Sequence, residues 1–173
     1  ATFAGNLGIG ITPSASFSGV EVLQLGKGMT IFGNTNDDRA TMAANLILNT
    51  STAFEYVMDG LAGRFSIEDG NMLWGTAGTG TAGQVATVDT KMTLLNNGYL
   101  GIGTTSPESL LHIKGETRAY ITFQDTSDGF IGFIGDAPNM LTGGTVDNLG
   151  LRGEGGIQFG VSDVIKMVLN SSG

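Results

Sequence analysis

The sequence contains no cysteine, one histidine, three prolines and only 14% charged residues. Without cysteine the chain forms no disulfide and no thiolate metal site. The chain has sixteen acidic and eight basic residues, for a net charge of −8. A surface that neutralises phosphate groups would therefore have to form in a negatively charged protein. We therefore expect no nucleic-acid partner. No apolar run approaches the roughly 20 residues that span a bilayer, which predicts no membrane insertion.

Glycine is the residue type that is abundant, with 29 of 173 positions. Each glycine inside a helix costs about 1 kcal/mol relative to alanine, so this composition disfavours a helical core. Glycine shows no collagen period, which excludes that kind of triple helix. The hydrophobic content of 40% is too high for a disordered chain.

Short runs of β-branched and aromatic residues recur along the chain, bounded by turn signals, and predict an all-β fold. Tight turns are expected at Asp59-Gly60, Asp69-Gly70 and Asn97-Gly98, because glycine readily adopts positive φ. Only Arg39–Asn49 has a pattern compatible with a helix. The predicted strands are Glu21–Leu25, Met29–Phe32, Leu46–Leu48, Phe54–Met58, Arg64–Glu68, Met72–Trp74, Ala119–Gln124, Gly129–Ile134, Gly156–Gly160 and Val164–Leu169.

One glycine-rich motif occurs twice, at Phe3–Ser14 and at Leu95–Pro107, and its glycines are offset by 93 residues. A fixed offset of this kind indicates modular organisation. We therefore predict two related modules, residues 1–94 and 95–173. The chain begins with alanine rather than methionine, and we expect it to be a piece of a longer protein.

The second copy, Asn97–Pro107 followed by Leu110–Ile113, resembles the recurring Gly-Ile-Gly-Thr-Thr-Ser-Pro signature of bacteriophage tail fibres and related trimeric fibre proteins. The first copy, Gly5–Pro13, is similar but has a shorter Thr-Thr-Ser-Pro portion. The resemblance implies a parallel, intertwined homotrimer located in the virion, whose distal end binds a receptor on the host surface. Many members carry a cleavable C-terminal chaperone domain, and this chain resembles the segment that precedes it.

The motif glycines and one proline are expected to have structural roles. Short strands joined by glycine turns leave exposed edges and a small core in each copy, which an intertwined homotrimer would cover. Gly8, Gly10, Gly101 and Gly103 would let backbones approach closely at a crowded axis, with the isoleucine between each pair forming a layer. Pro107 completes the second motif.

Candidate ligand-binding residues are aromatic and polar side chains near predicted loops. Trp74 is the sole tryptophan and precedes a glycine-threonine stretch, a position from which an indole can stack on a sugar. Tyr56 is a further stacking candidate, and Asn34, Asn36 and Asp37 lie in a polar turn. The contacts are expected in the loops Asn34–Asp38, Trp74–Gly83 and Asp136–Asp147.

Other chemistries have weaker support in the sequence. Gly78–Gly83 matches the dinucleotide-binding fingerprint, but Gln84–Asp89 predicts a strand where that fold needs a helix. The spacing in Asn34–Asp38 differs from a calcium loop and is typical of an Asx-rich turn. His112 lies in the alternating segment Leu110–Lys114 with no nucleophile motif beside it, so it is expected to be structural. We predict no cofactor and no metal.

The sequence therefore predicts a non-enzymatic tail-fibre segment that attaches to a host cell by multivalent binding to a surface glycan or another receptor. A polysaccharide-depolymerising tailspike is one alternative, because paired carboxylates can meet in space without a sequence signature. An inert structural shaft or adhesin stalk is another.

Overall fold

The computed structural model describes residues 5–16, 19–34, 38–127, 129–145, 148–162 and 164–170; for residues 34, 139, 140 and 161 it describes the backbone alone. The chain folds into two compact units, Ala1–His112 and Ile113–Gly173. The predicted module boundary after residue 94 follows the sequence repeat and stays a prediction.

The fold is all-β, as the sequence predicts, and its one helix in the described ranges is the single turn α1, Ala137–Met140. The strands of the first unit and its edge are β1 Leu7–Ile9, β2 Val20–Leu25, β3 Met29–Asn34, β4 Arg39–Ala44, β5 Leu46–Leu48, β6 Phe54–Tyr56, β7 Gly60–Glu68, β8 Asn71–Gly80, β9 Asp89–Leu94, β10 Leu100–Ile102 and β11 Leu111–Ile113. The remaining strands are β12 Tyr120–Asp125, β13 Gly129–Asp136, β14 Leu149–Gly153, β15 Ile157–Val161 and β16 Val164–Leu169.

Nine strands of the first unit form one sheet in the order β1-β2-β3-β4-β7-β8-β9-β10-β11. From β2 to β10 each neighbouring pair is antiparallel, while β1 runs parallel to β2. Most neighbours in the sheet are also neighbours in sequence, because short turns connect antiparallel strands directly. Asp69 and Gly70 both have positive φ, 50° and 75°, which confirms the predicted hairpin between β7 and β8.

The hairpin of β5 and β6 covers one face of this sheet and closes the core of the first unit. All three residues of β5 are buried, as expected for a strand that faces apolar side chains on both sides. Strands β2 and β4 alternate between buried and exposed positions, so each gives one face to this core. The core consists of Val20, Val22, Phe32, Ala43, Leu46, Ile47, Leu48, Tyr56, Ala62, Ala77 and Ala86.

The segment Arg39–Asn49 is not a helix but two strands, β4 and β5, joined at Asn45. Asn45 has φ 56°, a left-handed conformation that asparagine tolerates better than most residues. Its side chain fixes the turn, since Asn45 Nδ2 donates to Leu61 O at 3.0 Å and Asn45 Oδ1 accepts from Met58 N at 2.7 Å. Alternating burial along β4 then outweighs the helical propensity of its alanines.

The predicted strand Gln84–Asp89 is also wrong for most of its length. Only Val85 makes a bridge, with Glu55, and β9 begins at Asp89. The backbone of this segment instead extends the β5–β6 hairpin, as Tyr56 N donates to Gln84 O and Ala86 N donates to Phe54 O.

The second unit consists of a three-stranded sheet, β12-β13-β14, and a separate hairpin of β15 and β16. Its described residues that are buried are Gly132, Ala137 and Gly150. Large apolar side chains are exposed instead, among them Phe123, Phe130, Leu149, Phe159 and Met167. Taken alone, this unit has almost no hydrophobic core.

Leu46→Ala tests the core of the first unit. Leu46 is fully buried between the sheet and the β5–β6 hairpin, so its truncation should lower the free energy of unfolding by about 2–5 kcal/mol. Urea unfolding gives this value. Leu110 is exposed, and Leu110→Ala should change the stability by less than about 0.5 kcal/mol. Equal effects of the two substitutions would contradict the proposed core.

Candidate functional site

The two glycine motifs have closely similar backbone geometry and lie at or near opposite edges of the large sheet. The first provides β1 and the second provides β10, beside the edge strand β11. Gly10 and Gly103 both have φ +74°, while Gly5 and Gly98 have +97° and +88°. The sequence repeat is thus a repeat of local conformation.

The middle glycine of each motif contacts the turn that follows it. A Cβ on Gly101 would lie 2.5 Å from Thr104 O and 3.4 Å from Pro107 Cδ, and Pro107 is buried. A Cβ on Gly8 would overlap the carbonyl of Ile11 and lie 2.9 Å from Pro13 Cδ. These two glycines therefore approach the turn of their own motif closely, and the close approach expected between chains stays a prediction.

The side chain of Asn6 holds the first motif against the sheet. Asn6 Nδ2 donates to Ser14 O at 2.8 Å, and Asn6 Oδ1 accepts from Val22 N at 3.2 Å. One amide group thus connects the start of β1, the following loop and β2. This connection sets the register in which Leu7 lies beside Leu23.

The uncovered face of the sheet carries a continuous row of apolar side chains, which we call the apolar row. Consecutive strands place these residues directly opposite one another, and directly opposed side chains point to the same face. Ile31 and Met42 at its centre are 40% and 47% exposed. The apolar row consists of Leu7, Leu23, Ile31, Met42, Phe65, Trp74, Met92 and Ile102.

Further apolar residues flank this row on both sides. Ile9, Leu25 and Met29 lie opposite one another on one side, and Ile67, Met72, Leu94 and Leu100 do so on the other. Exposed apolar side chains scattered singly over a surface need no explanation, but a contiguous patch is a candidate interaction site.

Trp74 lies in the middle of β8 and belongs to the apolar row. Its ring centroid is 5.0 Å from that of Phe65, and Met92 is its partner on β9. Because β8 continues to Gly80, the expectation of a loop starting at Trp74 is wrong. Pairing with β7 keeps this glycine-threonine stretch extended to Gly80, while pairing with β9 ends at Thr76.

Tyr56 is a core residue with only 6% of its surface exposed. Its hydroxyl donates to Gly78 O at 2.6 Å, and a Cβ on Gly80 would overlap its ring. The glycines of β8 thus make room for the tyrosine. In this chain the ring is unable to stack on a sugar.

The polar candidates lie between β3 and β4. Asn34 ends β3, but Asn36 and Asp37 are outside the described residues. The neighbouring Asp38 is exposed, and its carbonyl accepts from Asp69 N at 3.2 Å. In the described ranges no group of three or more His, Cys, Asp or Glu side chains is placed to hold a metal ion.

An ion-pair cluster on the covered face was not visible in the sequence. Arg64 Nη1 lies 2.5 Å from Glu68 Oε1 and donates to Ser66 Oγ at 2.7 Å, and its guanidinium stacks 4.8 Å from the centroid of Phe54. Arg39 also contacts Glu68, at 3.5 Å. The spacing of Arg64 and Glu68 within one strand was the only signal. The covered face of the sheet therefore carries these paired polar side chains as well as the apolar core.

The side chain of the single histidine makes a local contact. His112 Nδ1 accepts from Glu108 N at 3.3 Å, within the turn that leads into β11. The structural role expected for His112 stays a prediction.

Valine at Gly101 or Gly103 should destabilise the second motif. At Gly101 the new Cβ meets Thr104 O, and at Gly103 a β-branched residue would adopt positive φ at a cost of about 1–3 kcal/mol. We expect lower urea midpoints and loss of assembly by light scattering. Gly78→Val is the matched control, since nothing lies within 4 Å of its Cβ position. Normal assembly of both motif variants would show that these glycines are dispensable.

Trp74→Ala should act on stability rather than directly on a ligand. Removal of the indole abolishes its contact with Phe65 and should lower the free energy of unfolding by about 2 kcal/mol, while Trp74→Phe should retain most of it. A thermal melt measures both variants. Loss of binding to cells or polysaccharide with an unchanged melting temperature would instead assign Trp74 to ligand contact.

In the part of the chain that the structure describes, no helix is long and apolar enough to cross a membrane. Comparison of this chain with family models, with curated proteins and with solved structures gives no match.

Proposed function

We propose that the chain is a segment of a homotrimeric phage tail fibre that attaches to a host cell through several weak contacts with a surface glycan. The observation that carries the proposal is the uncovered apolar row, with Ile31 and Met42 40% and 47% exposed. A protein with such a face is stable in water when the face is covered. Assembly of copies provides that cover.

The second unit supports the same proposal. Every described side chain of β16 is exposed, although five of its six residues are apolar. An isolated two-stranded hairpin is marginally stable in water. An intertwined trimer, in which strands of different copies pack together, would give β15 and β16 a core.

The resemblance of Asn97–Pro107 to the tail-fibre signature supports the fibre assignment, and the matching geometry of its two copies supports the modular organisation. Gly10 and Gly103 adopt the same φ, and both middle glycines contact a following turn that contains a proline. A repeated backbone unit of this kind suits an elongated protein built from successive modules.

Ligand contacts are proposed in the loops rather than on the sheet. The two aromatic candidates, Trp74 on the large sheet and Tyr56 on the β5–β6 hairpin, pack against other protein groups. The segment that connects β3 to β4 and the segment Thr81–Val88 each follow the end of a strand, where binding residues commonly lie. Sites with dissociation constants near 1 mM contribute about 4 kcal/mol each, and joining three on one particle raises the overall affinity by effective concentration.

A structural shaft without a ligand is the second candidate. The same packing of Trp74 and Tyr56 favours it, because both aromatic residues already have protein partners. The two candidates share the trimer and differ only in whether the loops bind a receptor.

Light scattering should give a mass of roughly 50 kDa, three times the 17.8 kDa of one chain. The labelled trimer should also bind some members of a panel of bacterial cells and purified surface polysaccharides. Because the proposal includes no catalysis, incubation with the bound polysaccharide should release no new reducing ends.

Each result tests a different part of the proposal. A folded monomer at micromolar concentration would contradict the trimer. A trimer that binds no cell and no polysaccharide in the panel would favour the shaft. Released oligosaccharides would show a depolymerase and overturn the non-enzymatic assignment.

A further inference from the structure

We infer that the apolar row and its flanking residues form the face through which copies of this chain pack against one another. This inference rests on the proposed homotrimer and identifies the surface that holds it together. The occupant of the face is a second copy of the chain.

The two faces of the sheet have different environments within one copy. The β5–β6 hairpin covers the face that carries Val22 and Phe32, which are buried. On the opposite face, Ile31 and Met42 lie on the same strands as buried residues and yet are exposed. None of the eight residues in the apolar row is charged. The row therefore offers no ionic side chain for water to solvate.

The size of this face is comparable with that of a protein interface. Eight strands spaced about 4.8 Å apart give the row a length of about 34 Å, and the face is about 14 Å wide because a strand contributes at most two of these residues, about 7 Å apart. The footprint is therefore roughly 480 Å², more than half of the roughly 800 Å² that each partner contributes to a standard interface.

A copy of the chain fits this face better than an unrelated partner, because the second unit has the same need. There Ile121, Ile134 and Leu151 lie opposite one another across three strands and are all exposed. An unrelated protein would need one apolar surface to cover the first unit and another to cover the second. Another copy of the chain has an apolar surface on each unit, and in a symmetric assembly each copy presents the same residues to its neighbours.

Single cysteines test the inference cleanly, because the chain has no cysteine of its own. Met42→Cys introduces a thiol in the centre of the apolar row, and Val85→Cys is the control on the segment that extends the β5–β6 hairpin. Within one copy Met42 and Val85 are 47% and 65% exposed, so a monomer would expose both thiols to a maleimide. The rates of modification are followed by mass spectrometry, with light scattering on the same samples.

We expect the assembled protein to react at least tenfold more slowly at Met42→Cys than at Val85→Cys, with equal rates for both in urea. A trimer that reacts at equal rates would overturn the inference and leave the proposed trimer standing. A protected thiol in a dimer would support the inference and contradict the trimer. A monomer that reacts rapidly at both positions would overturn both.

Discussion

The fold depends on one constraint, which is that a sheet has two faces and the described residues of the first unit supply cover for only one. Leu46–Leu48 and Phe54–Tyr56 form the hairpin that covers the inner face, and the buried residues on β2, β3 and β4 pack beneath it. Antiparallel sheets commonly leave the other face to water, but that face is then polar. Here it carries isoleucine, methionine, phenylalanine and tryptophan. The proposed assembly of copies would cover this face and the exposed apolar side chains of the second unit.

The motif glycines Gly8 and Gly101 have a local role within one chain, and the crowded axis between chains stays a prediction. Their spacing suggests a crowded axis between chains, yet Gly8 and Gly101 already lie against the turns of their own motifs. The isoleucines between the glycines, Ile9 and Ile102, remain exposed on the apolar face. Each motif therefore combines a tightly turned backbone, which excludes larger residues, with one apolar side chain directed outward.

Local patterns in the sequence were sufficient for the fold class, for most strands and for the hairpin at Asp69-Gly70. They failed where tertiary context decides. Nothing near Trp74 indicates that pairing with β7 keeps the stretch to Gly80 extended, and nothing near Tyr56 indicates that Gly80 makes room for its ring. The apolar row could not be recognised in the sequence either. Each strand contributes only one or two apolar residues to this face, and the register of eight strands brings them side by side. Register depends on turn geometry and on distant contacts such as those of Asn6.

The order of strands in the large sheet also bears on how the protein reaches its assembled form. From β2 to β4 and from β7 to β10, each strand pairs with its neighbour in sequence, so the loops that must close are short and their entropic cost is small. Folding of the first unit within a single copy is a unimolecular step, so its rate does not depend on concentration. In the proposed trimer the meeting of copies is a collision between molecules, and the abundance of the newly made chain would set its rate.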